Sequence, residues 1–362
     1  MHRRILLGAI GAGPLIWTTA FPALAQTPRD LVTMGIAIDD IVSLDPQESF
    51  EFMGGEVLAQ VYDRLVQPEL SDPTVITGVL AARWETSADG LTTTFKMAPG
   101  RKFASGNPVT AEDAAFTFHR AVILNKAPAF IINQFGFTPA NVAERIRATD
   151  AETLVLTIAE AGSPSFLLYC LSAAVGMVVE KKVVMSHAVG DDLGNAWLKA
   201  GNSAGSGPFQ LRQWRASENV TLDANPNHPT PPKVKRIVVL HRPDPSAQLL
   251  GLQRGDIDIA RTLSPDQLTT LGKDPAYTLM TQPKSYINYI ALNQNHPMLS
   301  KPGVRQAIKW AIDYKGIATN ITPNIYEAHQ AFLPKGFPGA LTDLPFQKDV
   351  AKAKALLAEA GV

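Results

Sequence analysis

Gly201-Asn-Ser203-Ala-Gly205 has the Gly-x-Ser-x-Gly spacing that, on a sharp strand-to-helix turn, lifts a serine hydroxyl out of a sheet as an acyl-transfer nucleophile. The surrounding pattern runs the other way, because Asn195 to Ala200 precedes the run and the strand-like Pro208 to Trp214 follows it. The run therefore reads as a Gly/Ser turn, and a secreted serine hydrolase using Ser203 is the alternative function. The seven histidines contain no i, i+4 pair and no His-Glu neighbour of the H-E-x-x-H type, so no metal site is read from them. No P-loop is present, and the mature chain has no dinucleotide fingerprint; no cofactor is expected. Asp39-Asp40 and Asp191-Asp192 read as solvated loop acids. The single thiol, Cys170, cannot form an internal disulfide or a Cys-x-x-Cys redox pair, and reads as a small buried apolar side chain.

Aromatic residues carry a softer signal. Phe50, Phe52 and Met53 fall in a loop between a strand and a helix, where they either fold back on the core or face a ligand. Tyr286 and Tyr289 flank Asn288 in a strand-like run and point to opposite faces, so at most one of them lines a given cleft. Trp84, Trp197, Trp214 and Trp310 share no spacing and read as core or subdomain-contact residues.

The elements that must position these residues are mixed. Strands are expected at Leu31 to Ile38, Leu91 to Met97, Leu154 to Ile158, Phe209 to Trp214, Val220 to Asp223, Ile237 to Leu240, Asp256 to Ala260, Tyr277 to Thr281 and Tyr286 to Leu292. Helices are expected at Gly54 to Leu65, from the capping-box-like Thr110-Ala-Glu-Asp113 onward, at Ser246 to Arg254 closed by Gly255, at Pro302 to Ile312 and at Val350 to Ala360. Phe166 to Leu171 is a buried helix or strand. The class is α/β with more than one sheet.

At 362 residues, with 46% hydrophobic side chains and 33 Lys+Arg against 33 Asp+Glu, the chain has length for two or three domains and a sizeable core. The charge balance excludes a polybasic nucleic-acid or membrane-surface protein, and composition excludes disorder. The first 25 residues read as an export signal: His2-Arg3-Arg4, then an uncharged stretch from Ile5 to Ala20, then Ala23-Leu24-Ala25. Cleavage is expected before Gln26, leaving 31 basic and 33 acidic residues. Arg3-Arg4 leaves Sec or twin-arginine export open. The expected location is periplasmic.

Over nearly the whole mature chain the pattern resembles the family 5 extracellular solute-binding proteins of ABC importers, the dipeptide, oligopeptide and nickel-binding group. The matching segments include Leu44-Asp-Pro46, Val61-Tyr-Asp-Arg-Leu-Val66, Leu80-Ala-Ala-Arg-Trp-Glu85, and Gly106-Asn-Pro-Val-Thr-Ala-Glu-Asp113 through Arg120. They continue with Gly205-Ser-Gly-Pro-Phe209, Asn225-Pro226, Gly255-Asp-Ile-Asp-Ile-Ala260, Asn288-Tyr-Ile-Ala-Leu-Asn293, Val304-Arg-Gln-Ala-Ile308 and Ala353-Lys-Ala-Leu-Leu-Ala-Glu-Ala-Gly361. Two positions depart from the family pattern: Ser206 replaces the usual Thr, and Asn227-His228 replaces a common aromatic pair.

The resemblance implies a two-lobed type II periplasmic-binding-protein clamshell with an inserted subdomain and an incomplete second lobe. Residues 27–78 and 200–285 would form the first lobe, 79–199 the subdomain, and 286–362 the start of the second lobe, with a hinge near 285–292. It implies a monomeric binding protein rather than an enzyme, taking a small solute, di- or oligopeptide foremost, to an inner-membrane permease and ATPase complex. Nickel chelates, opines and sugar derivatives are the other solute classes. The ligand-binding residues it points to are Ser49, Phe50, Phe52 and Met53 from the first lobe, Asn133, Gln134 and Phe135 from the subdomain, and Tyr286 and Asn288 at the hinge. The family pattern also implies that the sequence is a fragment of a longer chain.

Overall fold

The computed structural model describes residues 30–281, 287–337 and 339–362. Strand β1 (Leu31–Ile36) leads through a long buried loop to helix α1 (Phe52–Val61) and a short hairpin of β2 (Val66–Pro68) and β3 (Ile76–Gly78). Strands β4 (Ala81–Thr86) and β5 (Thr92–Met97) precede α2 (Ala111–Leu124), α3 (Phe130–Asn133) and α4 (Val142–Arg145). Then come β6 (Ile146–Asp150), β7 (Thr153–Thr157), α5 (Pro164–Leu171), α6 (Lys181–Ser186) and α7 (Asn195–Lys199). The chain continues through β8 (Phe209–Arg215), β9 (Asn219–Ala224), β10 (Arg236–His241), α8 (Pro245–Arg254), β11 (Ile259–Ala260) and α9 (Pro265–Leu271). It ends with α10 (Pro302–Ala311), α11 (Tyr314–Gly316) and α12 (Val350–Glu359).

Two sheets organise these elements. The first has the order β11-β1-β10-β9-β8, with β1 parallel to both β10 and β11 and the remaining pairs antiparallel. The second, β4-β5-β7-β6, is antiparallel throughout. Alternation along β5 buries Thr93, Phe95 and Met97 on the face that meets α2, whose Ala111, Ala114, Ala115 and Ala121 let the helix lie close to the strands. The capping box forms: Thr110 N–H donates to Asp113 Oδ2 at 3.0 Å, and α2 ends where Asn125 turns left-handed at φ 46°.

Each of the two larger sheets has its own core, and one run, a 3-10 turn at Ala174–Gly176 followed by an extended stretch, serves both. Val175 and Val178 join the cluster around Phe95, Phe103, Phe118 and Leu154, whereas Met177 and Val179 join the cluster around Ile38, Leu58, Val61 and Val239. A second seam is the Gly205–Pro208 turn. Gly207 N–H donates to Val61 C=O at 2.9 Å, Ser206 Oγ donates to Asp63 Oδ2 at 3.0 Å, and Arg101 reaches the same carboxylate at 2.6 Å. Ser206 thus supplies the hydroxyl that the usual Thr would. Asn227 Nδ2 donates to Ala104 C=O at 3.1 Å, so a hydrogen bond stands where the family commonly packs an aromatic.

Several expectations change. Phe166 to Leu171 lies in helix α5, with Pro164 in its first turn. The first helix ends at Val61 rather than Leu65, because Tyr62 is already extended toward β2. Tyr277 to Thr281 and 287–292 are not strands: no described strand pairs with them, and an extended run without a ladder is only a loop. Tyr286 lies outside the described residues. Of Asp256 to Ala260 only Ile259–Ala260 pairs, beside Met34 and Gly35.

The Gly205 seam generates a test. A Cβ on Gly205 would stand 2.0 Å from Val61 O, whereas one on Gly55, inside α1, meets nothing within 4 Å. Gly205→Ala is expected to lower unfolding free energy by roughly 1–3 kcal/mol, and Gly55→Ala to raise it by about 0.5–1 kcal/mol. Urea denaturation of both variants checks the opposite signs.

Candidate functional site

The loop after β1 is organised by one carboxylate. Asp45, fully buried, accepts from Arg120 Nη1 at 2.6 Å and from Arg120 Nη2, from Asn195 Nδ2 at 2.6 Å and from Gln47 N–H at 2.9 Å. Arg120, also fully buried, places two further donors on Gln47 Oε1 (2.7 Å) and Leu193 C=O (2.9 Å). Gln47 Nε2 donates to Val175 and Met177 C=O, both at 3.1 Å. One network thereby ties the 45–49 loop to α2, to the shared run at 175–177 and to α7. Both ions are desolvated, and a buried pair is tolerable only when its remaining donors and acceptors are met, as they are here.

At the rim of this network is Glu48, which accepts from Lys199 Nζ at 2.9 Å, Asn195 Nδ2 at 3.0 Å and Ser43 Oγ at 3.2 Å. Burial pushes its carboxyl up, but the Lys199, Asn195 and Ser43 contacts outweigh it and hold the group below its ordinary 4.5.

The aromatic loop emerges directly from this foundation. Ser49 is buried, with its Oγ on Glu51 Oε2 at 3.1 Å, and Met53 is buried, with its N–H on Asp40 Oδ2 at 3.3 Å. Both are internal supports. Phe50 and Phe52 point the other way, at 59% and 77% exposure. Phe50 meets Phe130, itself exposed, edge to face at 5.9 Å and 84°. The first two sequence-derived patches are therefore adjacent, and the residue that joins them, Phe130, was missed. Its signal in the sequence was only an aromatic at a helix start. An edge-to-face pair contributes about 0.5–1.5 kcal/mol, too little to explain leaving two phenyl rings in water.

The rest of the subsite divides. Asn133 Nδ2 donates to Asn125 Oδ1 at 3.0 Å, while its own Oδ1 is buried without a partner. Gln134 is exposed, its Nε2 donating to Ile131 C=O at 2.9 Å. Phe135 turns inward onto Phe166, with ring centroids 5.6 Å apart. Asn288 is exposed in a loop. These four are not gathered by contact with the Phe50 face, although Asn133 closes the same short helix that Phe130 opens. A cavity of about 470 Å³ lies elsewhere, between α2 and β6, lined by residues such as Thr110, His119, Arg147 and Lys181; it touches none of these residues.

Ser203 sits between helix α7 and strand β8, the reverse of a nucleophile elbow, and its Oγ accepts Leu211 N–H at 3.3 Å. Burial pushes the Cys170 thiol up to about 11, so it is protonated at neutral pH. Among the described residues no group of three His, Cys, Asp or Glu side chains could hold a metal, and no helix is long and apolar enough to cross a membrane.

A mixed sheet beside an antiparallel sheet with its own core is the α/β architecture of type II periplasmic binding proteins. The chain belongs to the family described as "Bacterial extracellular solute-binding proteins, family 5 Middle", whose model matches residues 75–362. It is 32% identical over 347 residues to the probable D,D-dipeptide-binding periplasmic protein DdpA of Escherichia coli K12, covering 94% of this chain and 64% of that protein. It is 27% identical over 304 residues to di/tripeptide-binding protein 2 of Pseudomonas aeruginosa UCBPP-PA14, covering 78% of this chain and 55% of that one. Among solved structures it superposes on the binding protein MoaA of A. tumefaciens R10, in complex with mannopinic acid, with a TM-score of 0.74 and 26% identity. That match covers 92% of this chain and 66% of the other. The periplasmic binding protein DppA of Helicobacter pylori, in complex with peptide STSA, shares the fold at a TM-score of 0.74 and 23% identity over 91% of this chain and 66% of its own. The chain thus spans 64% and 55% of the lengths of these two curated relatives.

Two outcomes follow from the network. Arg120→Ala strands the buried Asp45 charge and is expected to cost about 3–5 kcal/mol of stability, read as a fall in urea midpoint at unchanged m-value. Glu48, held below its unfolded value, contributes stability that is full above pH ~4.5 and is lost as pH falls through its folded value. Melting temperature plotted against pH should therefore fall less steeply below about 4.5 in Glu48→Gln than in the parent. Parallel curves would show that Glu48 contributes nothing.

Proposed function

We propose that this chain is the solute-binding component of an ABC importer, taking a di- or oligopeptide between two lobes in the periplasm and delivering it to an inner-membrane permease and ATPase. The observation that carries the reading is the Phe50–Phe130 wall with Phe52 beside it: exposed aromatic rings mounted on a fully buried polar foundation. Soluble proteins bury such rings or use them. Rings on a fixed base offer a peptide's apolar side chains a surface whose ordering cost is already met. The relatives named for dipeptides and di- or tripeptides support the solute class.

In this reading residues 27–78 and 200–285 form the first lobe, 79–199 a subdomain that contributes Phe130 and Asn133, and 286–362 part of the second lobe. The sheets favour that division: the mixed sheet takes its strands from 31–36 and 209–260, and the four-stranded antiparallel sheet from 81–157. Phe50 and Phe52 contact the solute, Ser49 and Met53 hold their loop, and Gln134 and Asn288 border the cleft. Tyr286, also assigned to the cleft, lies outside the described residues. The work is binding: a solute that touches both lobes favours the closed form by its differential affinity, and the permease reads the closed form. The protein acts as a monomer after its first 25 residues are removed.

Mass spectrometry of the solute that co-purifies with the protein identifies the ligand class; a sugar or a metal chelate would displace the peptide reading. A bound peptide at 100 times its Kd stabilises by about 2.7 kcal/mol. Phe50→Ala with Phe52→Ala is expected to leave the ligand-free melting temperature nearly unchanged while most of this ligand-induced shift disappears. An equal loss in the ligand-free protein would make both rings part of the core.

A further inference from the structure

Beyond the aromatic wall, one charged pair stands at the carboxyl end of the parallel strands, the end at which open α/β sheets bind ligands. Arg261 directly follows β11, and its guanidinium forks onto Glu56 of α1: Nη1 to Oε2 at 3.0 Å and Nη2 to Oε1 at 3.0 Å. Glu56 is one helical turn after Phe52, so the pair and the exposed ring share a face of α1.

The pair is neither core nor free surface. Its side chains are 27% and 39% exposed, yet the Arg261 backbone is fixed from below by Gln248, which is fully buried. Gln248 Oε1 accepts from Arg261 N–H at 3.0 Å and Thr262 N–H at 3.2 Å, and its Nε2 donates to Arg242 C=O at 2.6 Å and Thr262 Oγ1 at 2.5 Å. Four hydrogen bonds to one buried amide lock the two strand-end loops together. A guanidinium carries five donors; Glu56 takes two, and a third contact is the soft Met34 sulfur at 3.6 Å. An edge of the fork is left for something else.

We propose that Arg261 is a specificity-determining residue of the solute cleft, reading a carboxylate of the solute with the donors that Glu56 leaves over, and that Glu56 both orients the guanidinium and competes for it. The inference rests on the peptide-receptor reading above. Gln248 is the positioning residue, acting through the Arg261 backbone.

Calorimetric titration of the full-length protein with alanyl-alanine, in L,L and D,D forms, and with the matching C-terminal amides tests it. The parent is expected to prefer the acid over the amide on the order of tenfold, the scale of one charge-assisted hydrogen bond. Arg261→Gln should remove that preference. Glu56→Gln should widen it, because the competing carboxylate is gone. A merely structural clamp would not give these opposite signs. Retained acid preference in Arg261→Gln overturns the inference and leaves the receptor reading standing. Equal loss of affinity for acid and amide in both variants, with a matching fall in melting temperature, also overturns it. A parent protein that binds none of these probes while carrying a co-purified solute of another class overturns both readings together.

Discussion

The structure depends on the burial of Arg120 against Asp45. Removing both ions from water costs several kcal/mol each, and their attraction offsets this only because Gln47, Asn195 and Leu193 C=O meet the remaining valences. The geometry leaves no slack: a shift of α2, of the 175–177 run or of α7 strands a buried charge. Position, more than net stability, is what such a network secures. The residues just before the aromatic loop are held by this network, so the exposed rings project from a fixed base.

The same logic explains why two cores behave as neighbours with a fixed seam. Met177, Val178 and Val179 send their side chains alternately into one core and the other, so this stretch cannot slide by one residue without exchanging these contacts. The Gly205–Pro208 turn locks the adjoining segment, with Asp63 accepting from Val178 N–H through its carbonyl and gathering Ser206 and Arg101 at its carboxylate. Both seams meet the end of α1, whose first turn carries Phe52.

Much of this architecture was legible in the sequence, and the reasons divide cleanly. Local signals worked where the physics is local: the Thr110-Asp113 box, the left-handed Gly255 after α8, and the strands expected at Leu91 to Met97 and Leu154 to Ile158 all appear, within a residue at each end. The strands expected at Tyr277 to Thr281 and after Tyr286 failed because a strand is a pairing, and β-branched residues cannot show whether a partner is present. Leu44-Asp-Pro46 and Arg120 were both visible as family segments, but their bond joins residues 75 apart and has no local signature. Phe130 was missed for the same reason, since only the fold brings it to Phe50. Ser49 and Met53 are buried supports instead: Ser49 is on a loop, where no periodicity separates the face that binds from the face that holds, and Met53 belongs to the first turn of α1, which begins at Phe52, two residues before the expected Gly54.

This arrangement also constrains how a receptor of this kind can discriminate. A wall of phenyl rings binds apolar side chains by area, and area distinguishes one solute from another by only about 1–3 kcal/mol per methylene-sized difference. Stronger selection needs a polar group that is left unpaired when the wrong solute arrives. At the carboxyl end of the first sheet's parallel strands, the partly exposed Arg261 fork has this property in the receptor proposed above, because its backbone is fixed by Gln248 and its orientation by Glu56. Glu56 already neutralises part of its charge, so a solute without an anionic group leaves only the outer donors of the fork unmet and is disfavoured without being expelled. Selection on this wall is therefore graded: rings supply breadth, and the fork adds preference without imposing exclusion. In the peptide receptor proposed above, breadth with a bias suits solutes that carry many side chains on a common backbone.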